Sequence, residues 1–393
     1  MKTLTQSPTD PDFVQNPYPV YASARADGPV LHWSDYDMAA AFDHATVHAL
    51  FRDKRLGREV PAELATPVPA HLAPFMAVEA HSMLDLEPPR HTRLRGLVLR
   101  AFTKRRIAAL EPQIVALCHQ LIDDFPVDTF DLLPAYCTEI PVRVIARLLG
   151  VPESMAPDLL RWSHAMVAMY QASRTRATED AAAAAASEFS DFLRGYVETR
   201  RSQPADDLIT HLIAAEQDGD RLSPDELITT CILLLNAGHE ATVHSLGNGV
   251  KTLLETQTDP AWLRPDKIAG TCEEILRYDP PLHMFTRYVY EPLSIADHAF
   301  QRGDQIALML GAANRDPALW PEPERFDPSR PIRTNSSFGG GLHFCVGAPL
   351  ARLEMQIALP ILFARCPNLS LAKPPRYADT YHFHGLTALN VTT

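Results

Sequence analysis

The chain has 393 residues, of which 46% are hydrophobic and 21% are charged, a balance that is typical of a globular protein and unlike that of a disordered chain. Its net charge of −12 argues against a general affinity for nucleic acid or for an anionic membrane. The six cysteines show no CxxC pair and no repeated spacing, which argues against a zinc ribbon and against a disulfide framework.

The N-terminal segment is polar and interrupted by prolines. It contains neither an apolar run of the roughly 18 residues that a membrane span needs nor the apolar region of a signal peptide. We therefore expect a cytoplasmic protein in which residues 1–10 form a flexible N-terminus. No internal repeat and no glycine- or serine-rich linker divides the sequence, so we expect one domain over residues 1–393.

Apolar residues recur at three- and four-residue spacing along much of the chain, which predicts helices. Strand patterns are few, mainly YVYEPLSI and DQIALML, with a turn around Gly303 between them. The predicted fold class is therefore mainly α with small β-sheets. The helices are expected over residues 106–124, 142–149, 155–172, 178–201, 224–256, 266–278 and 349–365.

The longest predicted helix has a clear start, because Ser223 is followed by a proline and, at the third helical position, by Glu226. Its first half is apolar on nearly all sides, which is typical of a helix buried in the middle of a domain. Gly238, His239 and Glu240 nevertheless lie at its centre. A buried carboxylate is costly unless it is paired, so this point either has a function or holds a Glu/His pair that satisfies itself inside the core.

A glycine-rich loop, FGGGLHFCVG at residues 338–347, surrounds Cys345 just before the last predicted helix. It does not match a phosphate-binding loop, because Phe344 stands where the third glycine would be. Cys345 is then either a nucleophile with His343 as its base or an axial thiolate on a haem iron. In the second case the glycines let the backbone approach the flat macrocycle, and the start of the helix stabilises the thiolate.

The second interpretation agrees with a family resemblance. The loop closely resembles the haem-binding signature of the soluble bacterial cytochrome P-450 monooxygenases, with matches at Phe338, Gly341, His343, Cys345 and Gly347. The resemblance implies the P-450 fold, in which a long central helix lies over a haem b (iron protoporphyrin IX) ligated by Cys345. It also implies that Phe338, Gly339 and Gly347 in the loop and Ala237 on the central helix contact the haem.

Further motifs follow the family order along the chain. Glu274 and Arg277 resemble the ExxR motif, and Arg330 resembles the arginine that joins this pair in a structural ion network. Arginine and histidine suit the haem propionates, because two carboxylates held in a dry site need charged donors. The resemblance implies four such donors: His91, Arg95, Arg287 and His343.

The oxygen-activating motif of the family is incomplete in this chain. Most relatives place a threonine directly after the acid of the central helix, whereas Glu240 is followed by Ala241 and only then by Thr242. One residue turns a helix by about 100°, so Thr242 cannot simply take the same direction. These three residues are the expected catalytic region, in which either a water replaces the missing hydroxyl or a substrate hydroxyl completes proton delivery. A peroxide-driven hydroxylase is a further alternative, but peroxide users are expected to lack the acid as well.

Residues 90–106 contain seven arginines and lysines and no acidic residue, although the protein is acidic as a whole. Some of these side chains are expected to face the haem. The others form either an ordinary solvated helix face or a docking site for an acidic electron donor near Arg93, Arg100, Lys104 and Arg105. The donor that the resemblance implies is a ferredoxin, or a flavodoxin, which receives its electrons ultimately from NAD(P)H.

The resemblance also implies where the substrate pocket lies. Its apolar and adaptable lining suits a medium-sized hydrophobic small molecule, with O2 as the second substrate. A haem-thiolate protein that binds ligands without turning them over is the alternative outside the enzymes, although Glu240 and the basic face argue against it. The expected lining residues are Met83, Leu84, Met169, Leu282, Met284, Phe285 and Phe383.

Overall fold

The computed structural model describes residues 1–171, 174–217, 220–381 and 383–393. Helices dominate it, which confirms the predicted fold class. The α-helices are α1 (Pro11–Gln15), α2 (Tyr18–Asp27), α3 (His44–Leu50), α4 (Ala73–Glu79), α5 (Arg90–Ala101), α6 (Lys104–Ala109), α7 (Glu111–Asp123), α8 (Glu139–Leu149), α9 (Ala156–Val167), α10 (Arg176–Ser202), α11 (Leu208–Ala214), α12 (Pro224–Glu255), α13 (Ile268–Tyr278), α14 (Leu310–Ala313) and α15 (Ala348–Arg365).

The strands are short and belong to several small sheets. The largest sheet has six strands in the order β1-β2-β3-β11-β8-β4. The strands are β1 (Thr3–Leu4), β2 (Val30–Trp33), β3 (Met38–Ala41), β4 (Leu56–Gly57), β5 (Phe130–Asp131), β6 (Glu216–Gln217), β7 (Asp220–Arg221), β8 (Met284–Val289), β9 (Leu293–Ile295), β10 (His298–Phe300), β11 (Gln305–Met309), β12 (Ser370–Leu371), β13 (Arg376–Tyr377), β14 (Leu386–Ala388) and β15 (Asn390–Thr392).

The first residues of the chain are not a free tail, contrary to the prediction for residues 1–10. Strand β1 pairs in parallel with β2, and Lys2 forms an ion pair with Asp27 at 2.7 Å. The predicted strand pair is present, because β8 runs antiparallel to β11. The stretch YVYEPLSI, however, covers the end of β8 and all of β9, and β9 pairs with β10 instead.

The helix α12 crosses the middle of the fold, as predicted. Its 32 residues span about 48 Å at 1.5 Å per residue. It begins at the predicted position, where Ser223 and Glu226 form a reciprocal capping box. Gly238 allows α8 to approach closely, because a Cβ at this position would lie 3.0 Å from Cγ1 of Ile145. Most residues of α12 are buried, so the helix packs against its neighbours along most of its length.

Two predicted helices are divided or end early in the structure, whereas the others differ only by a few residues at their ends. The expected helix 106–124 is divided between α6 and α7 at Leu110, because Pro112 fits only in the first turn of a helix. The expected helix 155–172 ends as an α-helix at Val167 and continues as a 3-10 turn to Tyr170. Residue 172 lies outside the described residues.

Candidate active site

The glycines of the cysteine loop have a structural cause. Gly339 and Gly341 have φ angles of +67° and +63°, a left-handed conformation that costs a residue with a side chain additional energy. At Gly341 a Cβ would lie 2.0 Å from the backbone oxygen of Phe51, so no side chain fits there. The backbone N–H of Cys345 donates to the Phe338 carbonyl at 3.0 Å, which closes the loop just before α15.

The side chain of Cys345 faces a cavity, and the backbone N–H groups of Gly347 and Ala348 donate to its sulfur. Burial raises the pKa of this thiol, while the two N–H groups and the guanidinium of Arg95 act in the opposite direction. The start of α15 therefore supplies the donors that a thiolate ligand needs. Among the six cysteines of the chain, the other five are buried, so Cys345 is the accessible thiol.

The cavity separates the cysteine loop from the centre of α12. Its lining includes Cys345, Phe338 and Gly347 from the loop, and from α12 it includes Ala237, Gly238, Glu240, Ala241 and Thr242. Most of its lining is apolar, but four basic side chains also border it: Arg58, His91, Arg95 and His343. A sulfur donor, apolar walls and basic groups that can bind carboxylates fit a haem b, so the residues present match the cofactor that the family resemblance implies.

The carboxylate of Glu87 contacts two of these basic residues. His343 Nε2 lies 2.9 Å from Glu87 Oε1, which also accepts the backbone N–H of Arg58 at 2.7 Å. The ring of His91 lies 4.4 Å from that of His343, and burial lowers the pKa of His91 to about 4. Nδ1 of His91 is buried and has no hydrogen-bond partner in the described part of the chain. A donor or acceptor at this edge of the cavity is therefore still available to a ligand.

Two predicted haem contacts do not border the cavity. Arg287 is buried beside it, with its guanidinium over the ring of Phe51 at 5.5 Å, and burial lowers the pKa of Arg287 to about 10. Gly339 packs against Phe285, because a Cβ added to this glycine would lie 3.2 Å from the Phe285 ring. The sequence analysis did not identify Glu87 or Arg58 as residues of the site. Glu87 had a local signal, because it stands directly before the Pro-Pro pair at the start of the helix that carries His91.

The predicted ion network is assembled on α13. Nε and Nη2 of Arg277 each donate to a carboxylate oxygen of Glu274 at 2.7 Å, and Nε of Arg330 lies 3.3 Å from the same carboxylate. Arg277 also donates to the backbone carbonyls of Asn314 and Pro323. Because Glu274 and Arg277 are buried and every charge has a partner, the network fixes α13 to the segment that leads into the cysteine loop.

Glu240 is surrounded by imidazoles. One carboxylate oxygen lies 3.1 Å from His164 Nε2 and 3.4 Å from His239 Nε2, and the other lies 3.8 Å from His244 Nε2. Burial raises the pKa of Glu240, but its interactions with the adjacent imidazoles of His164 and His239 outweigh burial and hold this pKa well below its usual range. Glu240 is therefore an anion that borders the cavity. The sequence pattern pointed to His239 but not to His164, which comes from α9.

The replacement of the usual threonine is visible on the cavity wall. The methyl group of Ala241 lines the cavity, and Thr242 lines it as well although it is mostly buried. The carbonyl of Ala241 accepts the hydroxyl of Ser245 at 2.8 Å, within the helix. The cavity thus has an acid on α12 but no hydroxyl at the position directly after it.

Comparisons with known proteins agree with this geometry. The family model described as Cytochrome P-450 matches residues 268–375. A vitamin D(3) 25-hydroxylase from Pseudonocardia autotrophica is 39% identical, over 97% of this chain and 94% of its own length. The 6-deoxyerythronolide B hydroxylase of Saccharopolyspora erythraea is 37% identical, over 90% and 89% respectively. The solved structure of the polyketide cytochrome PksS from Bacillus subtilis 168 superposes with a TM-score of 0.89 at 32% identity, over 98% of this chain and 99% of the other.

The chain belongs to the cytochrome P-450 family. Relatives named as monooxygenases and hydroxylases cover most of its length, so it is a haem-thiolate monooxygenase. Family membership confirms the predicted P-450 fold and implies the expected haem cofactor. Among the described residues, no helix combines the length and the apolarity needed to cross a lipid bilayer.

The substrate side of this P-450 differs in part from the prediction. Met83, Leu84, Leu282, Phe285 and Phe383 line the cavity. They are joined by several side chains that were not predicted: Phe75, Val78, Glu79, Val167 and Tyr170.

Met169 and Met284 do not line the cavity of the P-450, and the prediction for both was wrong. Successive residues of a strand face opposite sides, so Phe285 on β8 points into the cavity while Met284 packs in a separate core with Tyr21 and Trp33. Met169 follows the end of α9 and is buried in the main hydrophobic core. Met166, three residues earlier on α9, occupies the cavity wall instead.

The basic segment of the P-450 is only partly free for a partner. Arg93 forms an ion pair with Glu226, at the start of α12. Arg100, Lys104 and Arg105 are exposed at the end of α5 and the start of α6. Arg95 on the same α5 donates to the Phe344 carbonyl at 2.7 Å, so α5 contacts the cysteine loop at this point.

Proposed function

We propose that this P-450 inserts one oxygen atom from O2 into a medium-sized hydrophobic molecule that carries a hydroxyl group near the position attacked. The observation that carries the proposal is the methyl group of Ala241 on the cavity wall, directly after the acid Glu240. The chain supplies the acid and lacks the neighbouring hydroxyl. A hydroxyl of the substrate, or a water that it orders, completes the proton path.

The lining of the cavity supports a mainly apolar substrate. Aliphatic and aromatic side chains from several separate segments converge on it, including Met83, Leu282, Phe285 and Phe383. Unbranched methionine side chains adapt to the shape of a ligand at low cost. Two relatives are named as hydroxylases, one of vitamin D(3) and one of 6-deoxyerythronolide B.

The proton path begins at His164. Its imidazole is 59% exposed, and its Nε2 lies 3.1 Å from the Glu240 carboxylate, which borders the cavity. His239 lies on the same carboxylate oxygen, with its Nε2 at 3.4 Å. A proton from solvent therefore passes from the His164 imidazole to the Glu240 carboxylate and then to the substrate hydroxyl.

The haem, when bound, supplies the activation of O2, and a thiolate ligand favours cleavage of the O–O bond. We assign Cys345 as that ligand, because it is the accessible thiol and carries the donors of the α15 start. Three side chains that border the cavity are assigned to the propionates, to which they offer charge and hydrogen bonds in a dry site: His91, Arg95 and His343.

The electrons are proposed to arrive from NAD(P)H through a ferredoxin or a flavodoxin. Such donors are acidic, and the exposed Arg100, Lys104 and Arg105 form a complementary face in a protein of net charge −12. The α5 helix that carries Arg100 contacts the cysteine loop through Arg95, which connects this face to the proposed haem ligand.

Matched pairs of ligands test the substrate class and the role of the hydroxyl. Haem-loaded protein is titrated with apolar compounds, each as the hydroxylated form and as the corresponding deoxy form, and the spin state of the iron is followed optically. We expect the hydroxylated member to bind at least about tenfold more tightly, which corresponds to 1.4 kcal/mol. The variant Ala241→Thr, which brings its own hydroxyl, is expected to lose this preference. Equal binding of both members to both proteins would contradict the proposal.

A further inference from the structure

His164, His239 and Glu240 bring three ligand atoms together where α9 crosses α12. Nε2 of His164, Nε2 of His239 and a carboxylate oxygen of Glu240 all lie within 4.8 Å of one another. His239 is 2% exposed, whereas the side chain of His164 is 59% exposed. The group is therefore anchored in the core and accessible from solvent on one side.

The tautomer of His239 is fixed by the helix. Its Nδ1 lies 2.8 Å from the Leu235 carbonyl, which can only accept, so Nδ1 carries the hydrogen. Nε2 then presents a lone pair to Glu240, and both Nε2 and the facing carboxylate oxygen are buried without a hydrogen-bond partner among the described residues. Two acceptors 3.4 Å apart repel each other unless a cation lies between them. A metal-binding histidine has the same arrangement, with its second nitrogen held by a carbonyl.

The spacing of the three atoms suits a small divalent ion. Zinc binds nitrogen and oxygen at about 2.0–2.1 Å, so two ligands of a tetrahedral zinc ion are about 3.3 Å apart. The two distances to the Glu240 oxygen are 3.1 Å and 3.4 Å. We propose that His164, His239 and Glu240 form a site for Zn²⁺, separate from the haem ligand, with a water at the fourth position.

A second group of histidines and an acid among the described residues does not offer the same chemistry. Asp279, His283 and His384 also cluster. However, both carboxylate oxygens of Asp279 accept tyrosine hydroxyls, from Tyr18 and Tyr377, and all three members are buried. Its carboxylate therefore already accepts two hydroxyl groups, which an ion would have to displace.

A zinc ion in this site would join the α9 helix to α12 and occupy the carboxylate of Glu240. This consequence rests on the proposed function, in which Glu240 and His164 transfer protons towards the substrate. Zn²⁺ is then an inhibitor of turnover that acts without touching the haem. The binding itself does not depend on that proposal.

Zinc binding is measured directly, without turnover. Haem-loaded protein is treated with a chelator, desalted and titrated with ZnCl2 in a calorimeter. We expect one equivalent to bind in the wild type and its affinity to fall at least about tenfold in His164→Ala, a loss of 1.4 kcal/mol. Glu240→Gln is expected to weaken binding likewise, because a neutral amide is a poorer ligand. His119→Ala removes an exposed helix histidine elsewhere and should bind as the wild type does.

The haem spectrum of each variant is the control for an intact fold. We expect it to be unchanged in His164→Ala, because this side chain is largely exposed. Loss of the zinc equivalent in His164→Ala but not in His119→Ala supports the site. The absence of zinc binding to the wild type, or equal affinity in the wild type and His164→Ala, would overturn it. If zinc binds but leaves turnover unchanged, the site stands and the proton role of Glu240 fails, so the two proposals are tested separately.

Discussion

Glu79 is a titratable carboxyl group on the wall of an otherwise apolar cavity. Burial raises its pKa to about 7, and the negative charge of Asp85 acts in the same direction. The hydroxyl of Tyr170, which donates to Glu79 at 3.2 Å, and the guanidinium of Arg58 oppose the shift. The group is therefore neutral in mildly acidic solution and charged in mildly alkaline solution.

The affinity of the P-450 for an apolar ligand is expected to depend on the charge of Glu79. A ligand that removes the remaining water raises this pKa further, so affinity is full below pH 7 and falls as the pH rises through about 7. A further shift of one unit corresponds to about tenfold weaker binding at alkaline pH. The measurement is the dissociation constant from the spin-state titration at several pH values.

Glu79→Gln is the matched control for this prediction, because the amide keeps the shape and cannot ionise. Its dissociation constant should stay level over the same range, while any titration of the haem contacts affects both proteins equally. An unchanged pH profile in the glutamine variant would contradict the assignment to Glu79.

The cysteine loop depends on one glycine more than on the others. In Gly341→Ala the new methyl group would overlap the backbone oxygen of Phe51 at 2.0 Å, and the positive φ adds about 1–2 kcal/mol of strain. We expect the haem content per protein to fall by at least about half, because the loop must move to relieve the clash. Gly195→Ala on α10 is the control, since no atom lies within 4 Å of its Cβ. Equal haem content in both variants would contradict the steric account.

The helix α15 contains a buried acid without a partner. Glu354 is fully buried, neither carboxylate oxygen has a hydrogen-bond partner in the described part of the chain, and burial raises its pKa well above the usual range. A raised pKa in the folded state means that stability is lost as the pH rises from the unfolded value of 4.5 towards the folded one. This carboxyl group therefore weakens the fold at neutral and alkaline pH.

Glu354→Met removes this group and keeps a similar volume. The free energy of unfolding of the variant should exceed that of the wild type by about 1–3 kcal/mol at alkaline pH, with a smaller gain in acid. Denaturant unfolding of both proteins at two pH values gives the comparison. A variant that is no more stable than the wild type in alkali would show that Glu354 has a partner that offsets its burial.

The sequence predicted the elements that depend on local pattern. The capping box at Ser223, the glycine-rich turn before Cys345 and the pair Glu274–Arg277 are each written within a few residues, so they could be identified from the chain alone. The contacts of Glu240 with His164 and of His343 with Glu87 join distant segments and leave no local pattern. They arise only when the helices pack.

Other differences come from a single residue of register or from a single proline. Met284 and Phe285 are equally apolar, and only the pleat of β8 decides which of them faces the cavity. Pro112 divided a helix whose apolar periodicity continues across the break. Apolar spacing alone therefore located the helices well and their ends and faces less well.

At the scale of the whole molecule, charge is distributed unevenly. The protein is acidic, but Arg100, Lys104 and Arg105 are exposed together where α5 ends and α6 begins. Reversing two of them, in Arg100→Glu with Arg105→Glu, should slow reduction by an acidic ferredoxin about tenfold or more at low salt and leave ligand binding unchanged. Stopped-flow reduction at several salt concentrations measures this.

The control carries a charge reversal of the same kind on a remote exposed side chain, Arg264→Glu. Its reduction rate should resemble that of the wild type at every salt concentration. A loss in Arg264→Glu as large as that in the double variant would mean that total charge, and not the basic face, governs the encounter.

The central claim is that the substrate completes a proton path in which Glu240 is followed by Ala241. Its most direct test is the hydrogen peroxide released per NAD(P)H consumed, measured for the wild type and Ala241→Thr with a hydroxylated substrate and its deoxy form. The account predicts little peroxide from the wild type with the hydroxylated substrate, much more with the deoxy form, and recovery of coupling with the deoxy form in Ala241→Thr. Tight coupling of the wild type with the deoxy substrate would contradict it.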